Sequence, residues 1–117
     1  MTYLIELWET PGGRCPVEKF IQSISEKAKG KMLKVFDLIE QYGEKVQMPH
    51  LKKLKGYDMY EIRFKFQSIH YRIFCVVRDA VFWLLHGIKK DTKHTPRGEI
   101  NKAWRRAQQL DLALLPV

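Results

Sequence analysis

The sequence predicts an α+β fold, in which a mostly antiparallel sheet packs on helices in the chain order β-α-α-β-β-β-α. Three observations carry this. Residues 60–90 read as three strands separated by tight turns. Residues 16–43 carry two apolar stripes at helical spacing, and a third stripe, Ile100 to Leu110, follows the last strand. The 117 residues have the length of one domain, here taken as 1–117, and 45% hydrophobic content is enough for one core.

Tyr3-Leu4-Ile5-Glu6-Leu7-Trp8 reads as the first strand, ended by the loop cluster Thr10-Pro11-Gly12-Gly13. Pro16 suits the first position of a helix. Val17, Phe20, Ile21 and Ile24 then fall at i, i+3, i+4 and i+7. Ser25 suits the cap of a second helix, whose stripe runs Ala28, Met32, Val35, Phe36, Ile39 and Tyr42, with Gly43 at its end. Lys27, Lys29, Lys31 and Lys34 read as that helix's solvated face. Glu44 to His50 has no periodicity and reads as a linker. Leu51-Lys52-Lys53-Leu54-Lys55-Gly56 reads as a basic patch before the sheet.

Tyr60, Ile62, Phe64 and Phe66 alternate with Glu61, Arg63 and Lys65, the period of a half-buried strand. Ile69, Tyr71, Ile73, Cys75 and Val77 continue the pattern after the polar turn Gln67-Ser68. A two-residue loop there sets Arg63 opposite Arg72 and Lys65 opposite His70. Like charges directly opposite destabilise a hairpin. The pair therefore reads either as a site held ready for an anion or as two solvated arginines on an exposed sheet face. Arg78-Asp79 reads as the next turn, and Val81 to Ile88 as a strand covered on both faces. A two-residue turn puts Leu85 opposite Arg72, and a three-residue turn puts His86 there, on one face with both arginines. The burst Lys89, Lys90, Lys93 and His94 follows. Thr95 then suits a cap, with Pro96 as the first residue of the last helix.

The balance of 21 Lys+Arg against 13 Asp+Glu gives a formal net charge of +8, which favours acidic partners, nucleic acid first among them. Cys15 and Cys75 sit in no metal-like or redox-like spacing, and a reducing cytoplasm fits them. The N-terminus lacks the pattern of a signal peptide, and the longest apolar run, Ala80 to Leu85, is far too short to span a membrane. No cluster of Asp, Glu, His or Cys has metal-ligand spacing, so neither metal nor other cofactor is expected.

The ordered set "HLKKLKG", "MYEIRF", "HYRIF", the apolar strand and "HGIKKDTKHTPRGEI" resembles the RelE/HigB superfamily of bacterial toxins, most closely its phage-related HigB-like branch. The resemblance spans nearly the whole chain. It implies a RelE-like fold, endoribonuclease activity on messenger RNA (on the ribosome in many members), and a cognate antitoxin, commonly of helix-turn-helix type. Arg63 then matches a basic position on the first strand of the central hairpin, Arg72 the "YR" arginine, and Lys89 or Lys90 the basic residue after the last strand. Glu61 stands where some members carry lysine. His94 is the nearest polar counterpart of a C-terminal tyrosine found in others.

Such an enzyme directs the RNA 2′-hydroxyl onto the adjacent phosphorus, leaving a 2′,3′-cyclic phosphate and a 5′-hydroxyl. A guanidinium fork suits the phosphate oxygens. The candidate catalytic set is Arg63, Arg72, Lys90 and His94, with Arg72 and Arg63 stabilising charge. His70, His86 and Glu61 are further candidates for moving the proton. Lys52, Lys53, Lys55, Lys65, Lys89 and Lys93 are the candidate RNA-binding residues. The competing reading is a non-catalytic basic RNA- or ribosome-binding protein of phage origin.

Overall fold

In the computed structural model, which describes residues 2–90 and 95–116, the predicted α+β architecture is present. The elements are β1 (Leu4–Leu7), α1 (Pro16–Ser23), α2 (Glu26–Tyr42), a 3-10 turn (Gly43–Lys45), β2 (Leu51–Lys53), β3 (Tyr60–Phe66), β4 (Ile69–Arg78), β5 (Val81–Lys90) and α3 (Arg97–Leu114). The sheet order is β1-β5-β4-β3-β2. β1 lies parallel to β5, and the other pairings are antiparallel.

Local chemistry sets the helix ends. Pro16 opens α1, where its missing N–H leaves no bond unmade. The Ser25 hydroxyl accepts from the Ala28 N–H at 3.2 Å, and Gly43 ends α2 at φ 59°. Pro96, rather than Thr95, holds the cap position of α3, and among the described residues no side chain caps that helix. The Thr95 hydroxyl is turned to another partner, described below.

The sheet is covered on both faces. On one side Val17, Ile24, Ala28, Met32, Val35 and Ile39 of the α1–α2 layer pack against Ile62, Ile73, Cys75, Phe82 and Leu84. On the other, Ala103, Ala107 and Leu110 of α3 pack against Met59, Phe74, Val76, Leu85 and Ile88. The alternation seen in β3 therefore does not mark a solvated face. Phe74 and Val76 occupy the nominally polar side of β4 because α3 lies over it.

Two sequence expectations need correction. The basic patch at Leu51 is a short edge strand, and Leu51 and Leu54 join opposite cores because an odd spacing turns them to opposite faces. The second turn is Asp79-Ala80, not Arg78-Asp79, with both residues at positive φ (52° and 63°). β4 runs on through Arg78, whose guanidinium grips Asp111 of α3 at 2.8 and 3.1 Å and Asp58 at 3.1 Å. A bulge at Phe74/Cys75 adds a further shift. Arg72 consequently faces Ile88, and neither Leu85 nor His86.

Among the described residues no helix is long and apolar enough to cross a membrane.

At Gly87 of β5 the chain passes directly under the Phe20 ring of α1, and a methyl group there would overlap that ring. Gly87→Ala should destabilise the protein by about 1–3 kcal/mol, as overpacking does. Urea unfolding checks this, with Phe20→Leu as the variant that restores room.

Candidate functional site

The hairpin β3–β4 pairs as the sequence predicts, with Arg63 opposite Arg72 and Lys65 opposite His70. Directly opposed residues share a face, so the ladder builds rows across the side of the sheet that α3 covers. One row is Lys65, His70 and Lys90; the next is Arg63, Arg72 and Ile88; the third is Lys52, Glu61, Phe74 and His86. Cations concentrate at the hairpin end, beyond the apolar contacts of α3.

The two arginines are not splayed into solvent. Arg72 is fully enclosed and Glu61 is 1% exposed, while Arg63 keeps part of its surface. Glu61 Oε1 lies 3.3 Å from Arg63 Nε and 3.3 Å from Arg72 Nε. Its Oε2 accepts the Thr95 hydroxyl at 3.0 Å. One carboxylate thus bridges two guanidinium groups and ties the segment before α3 to the sheet. Burial lowers the Arg72 pKa from its ordinary value; Glu61 opposes that shift and Arg63 adds to it.

The sequence contained the signal for this bridge. Glu61 lies two residues from Arg63, on the same face and diagonal to Arg72. Its partnership is what offsets the like-charge cost of the hairpin. Held this way, Glu61 is committed to Arg63, Arg72 and Thr95.

His86 is also engaged. Its Nδ1 accepts from Arg106 at 3.2 Å, which leaves its Nε2–H to donate to Glu99 in the first turn of α3. Its ring stacks on Phe74. Burial pushes the imidazole pKa down from 6.5, Glu99 pulls it up, and Arg106 and Lys102 push it down again. Glu99 is held below its ordinary value, chiefly by the hydrogen bond from His86.

The remaining candidates divide by face. Lys90 shares the face of Arg63 and Arg72 and lies close enough to Glu99 to lower its pKa, whereas Lys89 alternates to the α1–α2 side. Lys65 is exposed beside Arg63, and Lys52 is exposed at the β2 edge on the same face. Lys53 turns away, 3.5 Å from Asp58 and 4.8 Å from the centre of the Tyr60 ring. Lys55 stands exposed in the turn before β3. Lys93 and His94 lie outside the described residues. Chemically, the face offers a partly exposed guanidinium held rigid from behind, flanked by ammonium groups, an arrangement suited to phosphate oxygens.

The family model described as phage derived protein Gp49-like (DUF891) matches residues 19–108, a span that takes in α2, β2 to β5 and most of α3. No curated protein and no solved structure matches the chain.

Removing the Glu61 charge should take away the carboxylate that two neighbouring guanidinium groups share. Glu61→Gln should cost about 3–5 kcal/mol by urea unfolding. Adding Arg72→Met, which removes the enclosed charge, should recover most of that loss.

The pH response follows from His86. Its folded pKa lies below the unfolded value, so the unfolded chain binds the proton more readily. Its contribution to stability should be complete above the ordinary value of 6.5 and decline as the pH falls below it. Glu99, also depressed, adds to the loss further down, below 4.5. Thermal melts between those two pH values should show the decline, and His86→Gln should flatten it.

Proposed function

The chain belongs to the Gp49-like family of phage-derived proteins, and from that membership we propose that it is the toxin of a toxin–antitoxin pair, an endoribonuclease that cuts messenger RNA. One observation supports the catalytic part above the others. Arg63 emerges beside Lys65, on the face that also carries Lys90 two strands away, with its Nε held by a buried carboxylate.

In this reading the scissile phosphate sits over the hairpin end of the sheet. Arg63 meets its non-bridging oxygens, and Lys90 neutralises charge and supplies a proton to the leaving 5′-oxygen. Arg72, enclosed beneath, acts through Glu61 to fix the direction of Arg63, so the pair works as one contacting and one positioning residue. His70, on the row between Lys65 and Lys90, and His94 are the groups proposed to take the 2′-hydroxyl proton. Lys52, Lys55, Lys65 and Lys93 guide the RNA backbone, and the ribosome presents the message. The charge on the phosphate is met by side-chain cations, without a metal ion. The natural partner is an antitoxin, of helix-turn-helix type by the resemblance noted from the sequence.

A second reading, a basic RNA- or ribosome-binding protein without catalysis, draws support from the enclosure of Arg72 and the engagement of Glu61 and His86 in internal pairs. The two readings differ in what induced expression does. The toxin should arrest growth and create new RNA 5′ ends bearing hydroxyls. Arg63→Ala and Lys90→Ala should each reduce cleavage by about 100-fold, the scale of losing one transition-state donor, while circular dichroism and melting stay near the parent's. Intact messages in arrested or growing cells would favour the binder.

A further inference from the structure

β2 covers only Tyr60 to Ile62 of β3, and the next bond, from the Arg63 N–H, goes to the His50 carbonyl at 2.8 Å. Beyond that point no described strand pairs with the edge of β3. A groove of about 890 Å³ opens there between α2, residues 48–50 and the hairpin end of β3 and β4. It is of the size that encloses a compact ligand or a short stretch of chain.

Two features of this groove limit what fits it. Its accessible apolar surface is aliphatic and thioether: Leu38 is 36% and Met48 56% exposed, beside the exposed Pro49. The aromatic rings at its floor, Phe64 and Tyr71, are stacked on each other at 5.0 Å and nearly buried, so they present little ring face to a nucleobase. Its polar rim is cationic. Lys31 and Lys34 project from α2, Arg63 and Lys65 from β3, with His50 and His70 between, and none of the described lining residues is acidic.

We propose that this groove docks an acidic amphipathic segment of a protein partner. Apolar anchors seat against Leu38, Met48 and Pro49, and carboxylates meet Lys31, Lys34, Arg63 and Lys65. Single-stranded RNA would satisfy the cations but leave the aliphatic wall unused. Methionine adapts to varied apolar shapes, as docking surfaces require. The inference rests on the toxin reading only in taking the antitoxin as that partner. It also gives inhibition a physical form. Arg63 is shared, its guanidinium 3.5 Å from Met48 Sδ and its Nε on Glu61. An acidic segment in the groove therefore caps the contacting cation of the RNA face from the side.

The test is a selection of random displayed peptides on the intact chain, counter-selected on Leu38→Asp. That substitution is at an exposed position, and its fold is checked by circular dichroism. Enriched peptides should interleave acids with apolar anchors. The strongest should shift the Met48 methyl resonance, and Leu38→Asp and Lys34→Glu should each weaken it by about tenfold, one hot-spot contact. The proposal is overturned if no peptide is enriched over the Leu38→Asp control, if the enriched peptides lack acids, or if short mixed-sequence single-stranded RNA is what shifts Met48. Growth arrest by the chain alone is scored separately. A chain that binds acidic peptides without arresting growth keeps the groove and loses the toxin, and the converse result does the reverse.

Discussion

The structure depends on the enclosure of a guanidinium at the middle of the sheet. Arg72 lies on β4, the central strand, with apolar neighbours along both faces. An isolated charge there is prohibitive, and pairing is the means by which it is tolerated. Glu61 supplies the opposite charge from the adjoining strand, but Arg63 claims the same oxygen. Among these three described groups one carboxylate is shared by two guanidinium groups, and Arg63 is the member that keeps part of its surface. The partly exposed cation and the buried ion pair meet at that carboxylate.

That arrangement also fixes where α3 goes. A helix resting on the Arg72 side of the sheet has to satisfy polar groups that an apolar stripe cannot. It does so at three points along its length. Thr95 meets Glu61 ahead of the helix, Glu99 and Arg106 hold His86 between them, and Asp111 takes the Arg78 fork near the far end. Arg106 also bonds the Leu85 carbonyl at 2.9 Å and lies over the Trp8 ring. Between these points the contact is made by Ala103 and Ala107, small enough to let the helix approach closely. The apolar stripe supplies adhesion, and the polar pins set the register of the helix along the sheet.

Much of this was legible in the chain because it is local. Strand and helix positions followed from periodicity, the Ser25 cap from its spacing, and the Arg63–Arg72 pairing from a two-residue turn. What was not legible depends on events far apart in sequence. The Phe74/Cys75 bulge and the positive-φ turn at Asp79-Ala80 leave no periodic trace, and together they displaced the β4–β5 register. Whether the polar face of β3 was solvated or a held site stayed open from the sequence because its cover, α3, comes more than thirty residues later. Glu61 was read for what it replaces in the toxins that the sequence resembles, when its diagonal to Arg72 already described an ion pair. The groove depended on how early β2 ends, and a basic run with two leucines does not specify that length.

The two surfaces that meet at Arg63 differ in what they ask of a ligand. Toward α3 the cations stand in rows at strand spacing, Lys65 and Lys90 on either side of His70, with little accessible apolar surface among them. A phosphate backbone can use such a face, because it presents charge at intervals and needs no anchor. Toward α2 the cations surround a wall of Leu38, Met48 and Pro49, where an anchor gains from burial and charge alone does not. Arg63 borders both surfaces, and its Nε is committed to Glu61 in either case. On the two proposed roles, a ligand on one side would compete with a ligand on the other for the same guanidinium. Exclusion between an RNA and a protein partner would then need no conformational change, only the reach of Arg63 around the edge of β3.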